Sequence, residues 1–145
     1  MSEFNQEFTT IDLKNIYKEA KLRKEHGWRY VQTLAVNVGS GTDLIYSFMK
    51  DGQLDNVKIK NIKKATKIKS ITDHYLQAFV WENEIHDLFG LEFDGIAIDF
   101  EGTFYKTAVK EPMTIVDKET IARKEKQAKI KAAMAAKNKK QEEAK

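Results

Sequence analysis

The sequence predicts an α+β fold: an N-terminal helix, an antiparallel sheet of three to four strands, a second helix packed on it, an extended segment and a C-terminal helical tail. Three observations carry this reading. Apolar residues recur at helical spacing in two stretches, around Leu13–Ala20 and Leu76–Phe89. Between them the period switches to two, with Gly- and Asp-bearing turns at the switch points. Beyond Pro112, the only proline, the chain becomes rich in Ala and Lys.

The first helix opens at Thr9-Thr10-Ile11-Asp12, where a Thr can cap free N–H groups and Asp12 suits the positive helix end. Leu13, Ile16, Tyr17 and Ala20 form its apolar stripe. Lys14, Lys18, Lys21 and Lys24 lie away from most of it. His26-Gly27 is the expected stop, with Gly in the left-handed position.

Leu34, Val36 and Val38 then point one way along Tyr30–Val38, and Gly39–Asp43 is a turn. Leu44, Tyr46 and Phe48 alternate with Ile45, Ser47 and Met49. Asp51-Gly52 marks a second turn, and Val57 and Ile59 alternate with Lys58 and Lys60. This is a three-strand antiparallel meander. Its third strand, with lysines on one side, suits a solvated face or a protected edge. A short fourth strand is expected at Thr66–Ile71.

Ser70–Asp73 is expected to start the second helix, which runs through Leu76, Phe79, Val80, Trp81, Ile85, Leu88 and Phe89 and stops at Gly90. Leu91–Phe104, with Gly95 and Gly102, reads as a strand plus an extended segment. Thr114 and Asp117 have the spacing of a capping box. From there a marginal helix with a weak stripe at Ile121, Ala128, Ala132 and Ala135 is expected. The chain thus divides into a domain at 1–112 and a basic tail at 113–145.

Composition excludes several chemistries. There is no cysteine, hence no thiolate-bound cluster, Cys-type zinc site, disulfide or cysteine nucleophile. No apolar run approaches the ~20 residues of a membrane span, and the first residues do not resemble a secretory signal. Phosphate-binding Gly-rich patterns, GxSxG and HExxH are all missing. The net charge of +3 is uneven. Lys50–Lys69 holds seven lysines against Asp51 and Asp55, whereas Ser70–Tyr105 has eight acids and no Lys or Arg. The lysine segment lacks the arginines and aromatics of a nucleic-acid groove, and a solvated strand explains it more simply. A small nucleic-acid-binding module remains the alternative of another class.

Glu82, Glu84, His86 and Asp87 are the densest titratable cluster. A spacing of four sets Glu82 beside His86 as a hydrogen-bonded pair. With no second His, an interface with a partner's cations is the simpler reading than a metal or hydrolytic site. Trp81 and Phe89, eight residues apart, share a helix face. They belong to the core, or serve as docking anchors if that helix is free.

The segment Trp81-Glu82-Asn83-Glu84-Ile85-His86-Asp87-Leu88-Phe89-Gly90-Leu91-Glu92-Phe93-Asp94-Gly95 resembles the signature E-R-E-x-x-D-[ML]-F-G-[IV]-x-F-x-G of the thirty-kilodalton subunit of respiratory complex I. Glu82, Glu84, Asp87, Leu88, Phe89, Gly90, Phe93 and Gly95 match it. The resemblance covers roughly Trp28 to Gly95. Asn83 replaces the usual Arg, and Ile96-Ala97-Ile98-Asp99-Phe100 stands where the family continues with His-Pro and paired arginines. The short chain with its Lys/Ala tail is most like the small non-catalytic subunit of energy-converting, membrane-bound nickel–iron hydrogenases. The resemblance implies a cofactor-free accessory subunit on the cytoplasmic side of the cell membrane, touching the membrane only through its complex. Its implied partners are the large nickel–iron catalytic subunit and the small iron–sulfur subunit, with a ferredoxin-like subunit as a further candidate. The equivalent subunit of an NADH/quinone oxidoreductase is the alternative. The residues expected at the partner interface are Trp81, Glu82, Glu84, Asp87, Phe89, Gly90, Phe93 and Gly95.

Overall fold

The computed structural model describes residues 5–114, together with 126–127 and 129–130, which are helical. The chain divides into two compact units, Met1–Thr114 and Ile115–Lys145, and the α+β architecture lies in the first. Asp117 and most of the expected tail helix fall outside the described residues.

Strands β2 (Arg29–Asn37), β3 (Thr42–Lys50) and β4 (Gln53–Ile62) form the antiparallel meander. Asp51 and Gly52 join the last two, with φ of 48° and 82°. Two consecutive positive φ values match the right-handed twist of the flanking strands, which is why Asp-Gly serves here. Gly41 is required by proximity: a side chain there would run into Asn61 and the Ile62 carbonyl of β4.

A strand absent from the sequence reading completes the sheet. β1 (Asn5–Thr10) runs parallel to β4, giving the order β1-β4-β3-β2. The lysine-bearing β4 is therefore interior and not an edge. Thr9 and Thr10 belong to this strand and do not open the helix, because the backbone keeps bonding to β4 as far as Ile11 N–H to Lys58 O at 2.9 Å. A 3-10 turn at Leu13–Asn15 leads into α1 (Ile16–Glu25). Gly27 (φ 78°) ends α1, with Gly27 N–H on Lys24 O and Trp28 N–H on Arg23 O, a Schellman closure of the last carbonyls.

Both helices cover one face of the sheet. A register shift after Tyr30 sends Tyr30, Thr33 and Ala35 of β2 to the core and leaves Leu34, Val36 and Val38 exposed on the open face. The core joins Leu44, Tyr46, Phe48, Val57 and Ile59 of the sheet to Ile16 and Ala20 of α1 and Ile85 of the second helix. Each such large side chain contributes about 1.5–3 kcal/mol by leaving water. Tyr30 packs edge-on to both Phe48 and Trp81, with ring centroids 5.8 and 5.6 Å apart.

The expected short strand is β5 (Lys67–Lys69), but it stands apart from the meander. It pairs in parallel with β6 (Glu92–Asp94), and α2 (Ala78–Phe89) connects the two. α2 begins later than Ser70–Asp73. That stretch forms turns because the Ser70 and Thr72 hydroxyls bond to each other and to nearby backbone, competing with helix. Gly90, in the left-handed conformation, closes α2 with its N–H on His86 O at 2.9 Å.

Candidate functional site

The acidic helix α2 uses most of its polar side chains inward. Glu82 is fully buried, and its carboxylate accepts the Ser70 hydroxyl at 2.6 Å and the Ile71 N–H at 3.0 Å. It thereby fixes the turn before α2 to the helix itself. Burial pushes its pKa up to about 7, against the opposing pull of those two donors. The expected Glu82–His86 pair does not form, because the carboxylate faces the interior while His86 is half-exposed. The Glu82 carboxylate is thus turned toward the interior of this chain and away from its surface.

The next residue, Asn83, is also fully buried. Its amide donates to Phe79 O at 2.7 Å and Ile98 O at 2.8 Å, and accepts Phe100 N–H at 2.8 Å. Asp87, four residues further along the same face, accepts Tyr105 N–H at 2.7 Å, so this acid too turns inward. Glu84, half-exposed, accepts the Tyr105 hydroxyl at 2.8 Å, and that bond raises the phenol's pKa. Thr72 adds another anchor, accepting Ala97 N–H at 3.0 Å.

These groups hold residues 96–105, which lack regular structure, as a strap across α2. Asn83 is one departure from the signature that the sequence resembles, and two of its partners, Ile98 and Phe100, lie in the other, residues 96–100. The two departures from the pattern are thus bonded to each other. A tight turn shapes the strap: Glu101 and Gly102 have φ of 51° and 78°, and Thr103 N–H returns to Phe100 O at 2.9 Å. Phe104 packs edge-on between Phe100 and Tyr105, with centroids at 5.1 and 5.0 Å.

The remaining expected interface residues are spread around α2. Trp81, Phe89 and Phe93 are half-buried and pack against the core. Gly90 ends the helix against the Glu111 side chain, which pairs with Lys64. Gly95 (φ 79°) is exposed, beside Lys69. Among the described residues no group of three or more His, Cys, Asp and Glu side chains is arranged to hold a metal ion. The lysines of 58–69 are largely engaged within the chain: Lys58 with Asp43 at 2.9 Å, Lys63 with Ser40 O, Lys64 with Glu111, and Lys69 with Asp94 at 3.5 Å.

No helix among the described residues is long and apolar enough to cross a membrane. Sequence reasoning missed Asn83, Thr72 and Tyr105. The only signal for Asn83 was its spacing of four from Asp87.

Residues 9–112 match the family model described as the respiratory-chain NADH dehydrogenase, 30 kDa subunit. No curated protein matches the chain. Among solved structures it is similar to a chain of an archaeal respiratory membrane complex, the membrane-bound sulfane sulfur reductase. The TM-score is 0.58 at 22% identity, over 66% of this chain and 60% of that one. It is also similar to the trypsin-resistant fragment of Nqo5, with a TM-score of 0.55 at 17% identity, over 63% of this chain and 80% of that one. At these identities the likeness is one of fold.

Proposed function

The chain belongs to the family of the 30 kDa subunit of the respiratory-chain NADH dehydrogenase, and from that premise we propose that it is a cofactor-free, non-catalytic subunit of a membrane-bound, energy-converting hydrogenase. In this reading it docks the large nickel–iron subunit and the small iron–sulfur subunit on the cytoplasmic side of the membrane. The observation that carries the proposal is the extent of the family match, residues 9–112, which takes in nearly the whole folded unit.

The local chemistry supports a docking role. The acids of Ser70–Tyr105 that are not used internally favour a cationic partner, through charge-assisted and orienting contacts. Glu84 and the half-exposed Trp81, Phe89 and Phe93 are the proposed contact residues around α2. Glu82, Asp87, Gly90 and Gly95 support them by shaping the helix and its exit. A second reading, favoured by the likeness to the archaeal complex, is the corresponding subunit of a complex that reduces sulfane sulfur.

The test is an affinity pull-down of the tagged full chain from native, detergent-solubilised membranes, with mass spectrometry and metal analysis. Recovery of a nickel-bearing large subunit with iron–sulfur and membrane subunits supports the hydrogenase reading. A large subunit without nickel turns the assignment to the sulfane-sulfur or quinone-reducing relatives. Recovery of the chain alone, or with nucleic acid, overturns the subunit role.

A further inference from the structure

We infer that the strap from Ile98 to Tyr105 is a docking surface for a different polypeptide, whose facing groove is apolar and lined by arginines or lysines. This rests on the proposal that the chain is a subunit, and names the surface and the partner's chemistry.

Within eight residues the strap exposes Ile98, Phe100 and Tyr105, at 42%, 39% and 42% of their full areas. Asp99 and Glu101 alternate with them and are exposed. Neither makes an ion pair among the described residues, and neither does nearby Glu92. A guanidinium can lie on an aromatic face and pair with a carboxylate at once, so this alternation suits arginine above other groups.

The strap is also already ordered. Asn83 holds it at residues 98 and 100, Asp87 and Glu84 hold it at 105, and the Glu101-Gly102 turn closes it. A surface fixed in advance loses less conformational entropy on binding. That is a reason to place buried amide and carboxylate groups under an irregular, solvent-facing segment.

Charge argues against other occupants. Nucleic acid and anionic lipid would be repelled by Glu92, Asp99 and Glu101. A second copy would have only Lys60 and Lys67 of its lysine strands to offer, since Lys58, Lys63, Lys64 and Lys69 are already engaged.

The test replaces Phe100 with the photo-crosslinker benzoylphenylalanine in the tagged full chain, expressed in its native membranes. Alongside it run the unmodified chain and the variant Glu101→Lys, whose thermal melt is checked against the parent. Expected are a crosslink from position 100 to another protein, at a peptide bearing Arg or Lys, and a fall of about tenfold in recovery of that protein by Glu101→Lys. The strap is overturned, with the subunit role left standing, if the unmodified chain recovers partners while position 100 crosslinks only to itself, to lipid or to nothing. Undiminished recovery by Glu101→Lys with an unchanged melt also overturns it. If the unmodified chain recovers no partner, both inferences fall.

Discussion

The side-chain oxygen of Asn83 accepts the backbone N–H of Phe100 at 2.8 Å, while its amide nitrogen reaches Ile98 O at the same distance. One buried side chain thus imitates the strand that Ile98–Phe100 would otherwise need to satisfy its backbone. Replacing it by Leu keeps the branched shape and removes both bonds to the strap. Asn83→Leu is expected to cost about 2 kcal/mol, from buried backbone groups left unpaired. Amide exchange at Phe100 should accelerate well beyond that of the core strands. Unchanged exchange there would show that the strap is held by its aromatic packing.

Glu82 sets a pH dependence. Its folded pKa of about 7 lies above the ordinary 4.5, so the folded state binds the proton more tightly than the unfolded chain. This group's contribution is therefore fully present below about pH 4.5 and is lost as pH rises through 7. The loss is at most about 3 kcal/mol, from a shift worth ~1.4 kcal/mol per pH unit. Glu82→Gln, which cannot ionise, should flatten the decline in melting temperature between pH 5 and pH 8. Equal slopes for the two proteins would exclude Glu82 as its source. Asp43 acts in a separate window. Burial opposes its ionisation, but the Asn61 N–H and the Lys58 ammonium outweigh that and lower its pKa, so its contribution disappears only in stronger acid.

Gly90 and Gly102 separate two costs of adding a side chain. Both have positive φ, so alanine at either is strained by about 1–3 kcal/mol. At Gly102 the new methyl makes only ordinary contacts, with His86 Cε1 at 3.6 Å and Asp87 Oδ1 at 4.0 Å, whereas at Gly90 it collides with the Glu111 carboxylate. In urea titrations Gly90→Ala should be the more destabilising, and adding Glu111→Ala should recover part of the difference. Identical midpoints for the two single variants would mean that Glu111 simply moves aside.

Arg23 fastens α1 to the sheet, with its guanidinium 2.5 Å from Asp55, 2.6 Å from Glu19 and above the Phe48 ring. Arg23→Met strands Asp55 without its cation and should cost about 3 kcal/mol. The double variant Arg23→Met/Asp55→Leu should be more stable than the single one. A double variant no more stable than Arg23→Met alone would show that the stranded Asp55 carboxylate is not the source of the cost.

The meander was legible because alternation and Asp-Gly are local signals, and Gly27 and Gly90 marked the helix ends for the same reason. β1 was not. Asn5–Thr10 buries no side chain, so no alternation betrays it, and its partner is a distant strand. The family resemblance located α2, but the direction of its acids could not be read from spacing. Their partners are hydroxyl and backbone groups of residues 70, 71 and 105, which only the folded chain brings near. Leu34, Val36 and Val38 show the converse: a clean apolar alternation that marks the open face, since the register shift after Tyr30 sends other residues of β2 to the core.

The parallel pairing of β1 with β4 also sets a timetable. Asn5 has no neighbour until Gln53 exists, whereas β2, β3 and β4 can close their hairpins as each is made. At ~5–20 residues per second on the ribosome, the first strand waits for seconds while the meander assembles. Closing so long a loop is slow and comes late. β1, synthesised before the other three strands, is therefore expected to be the last to join the sheet, and until then β4 has one side bare.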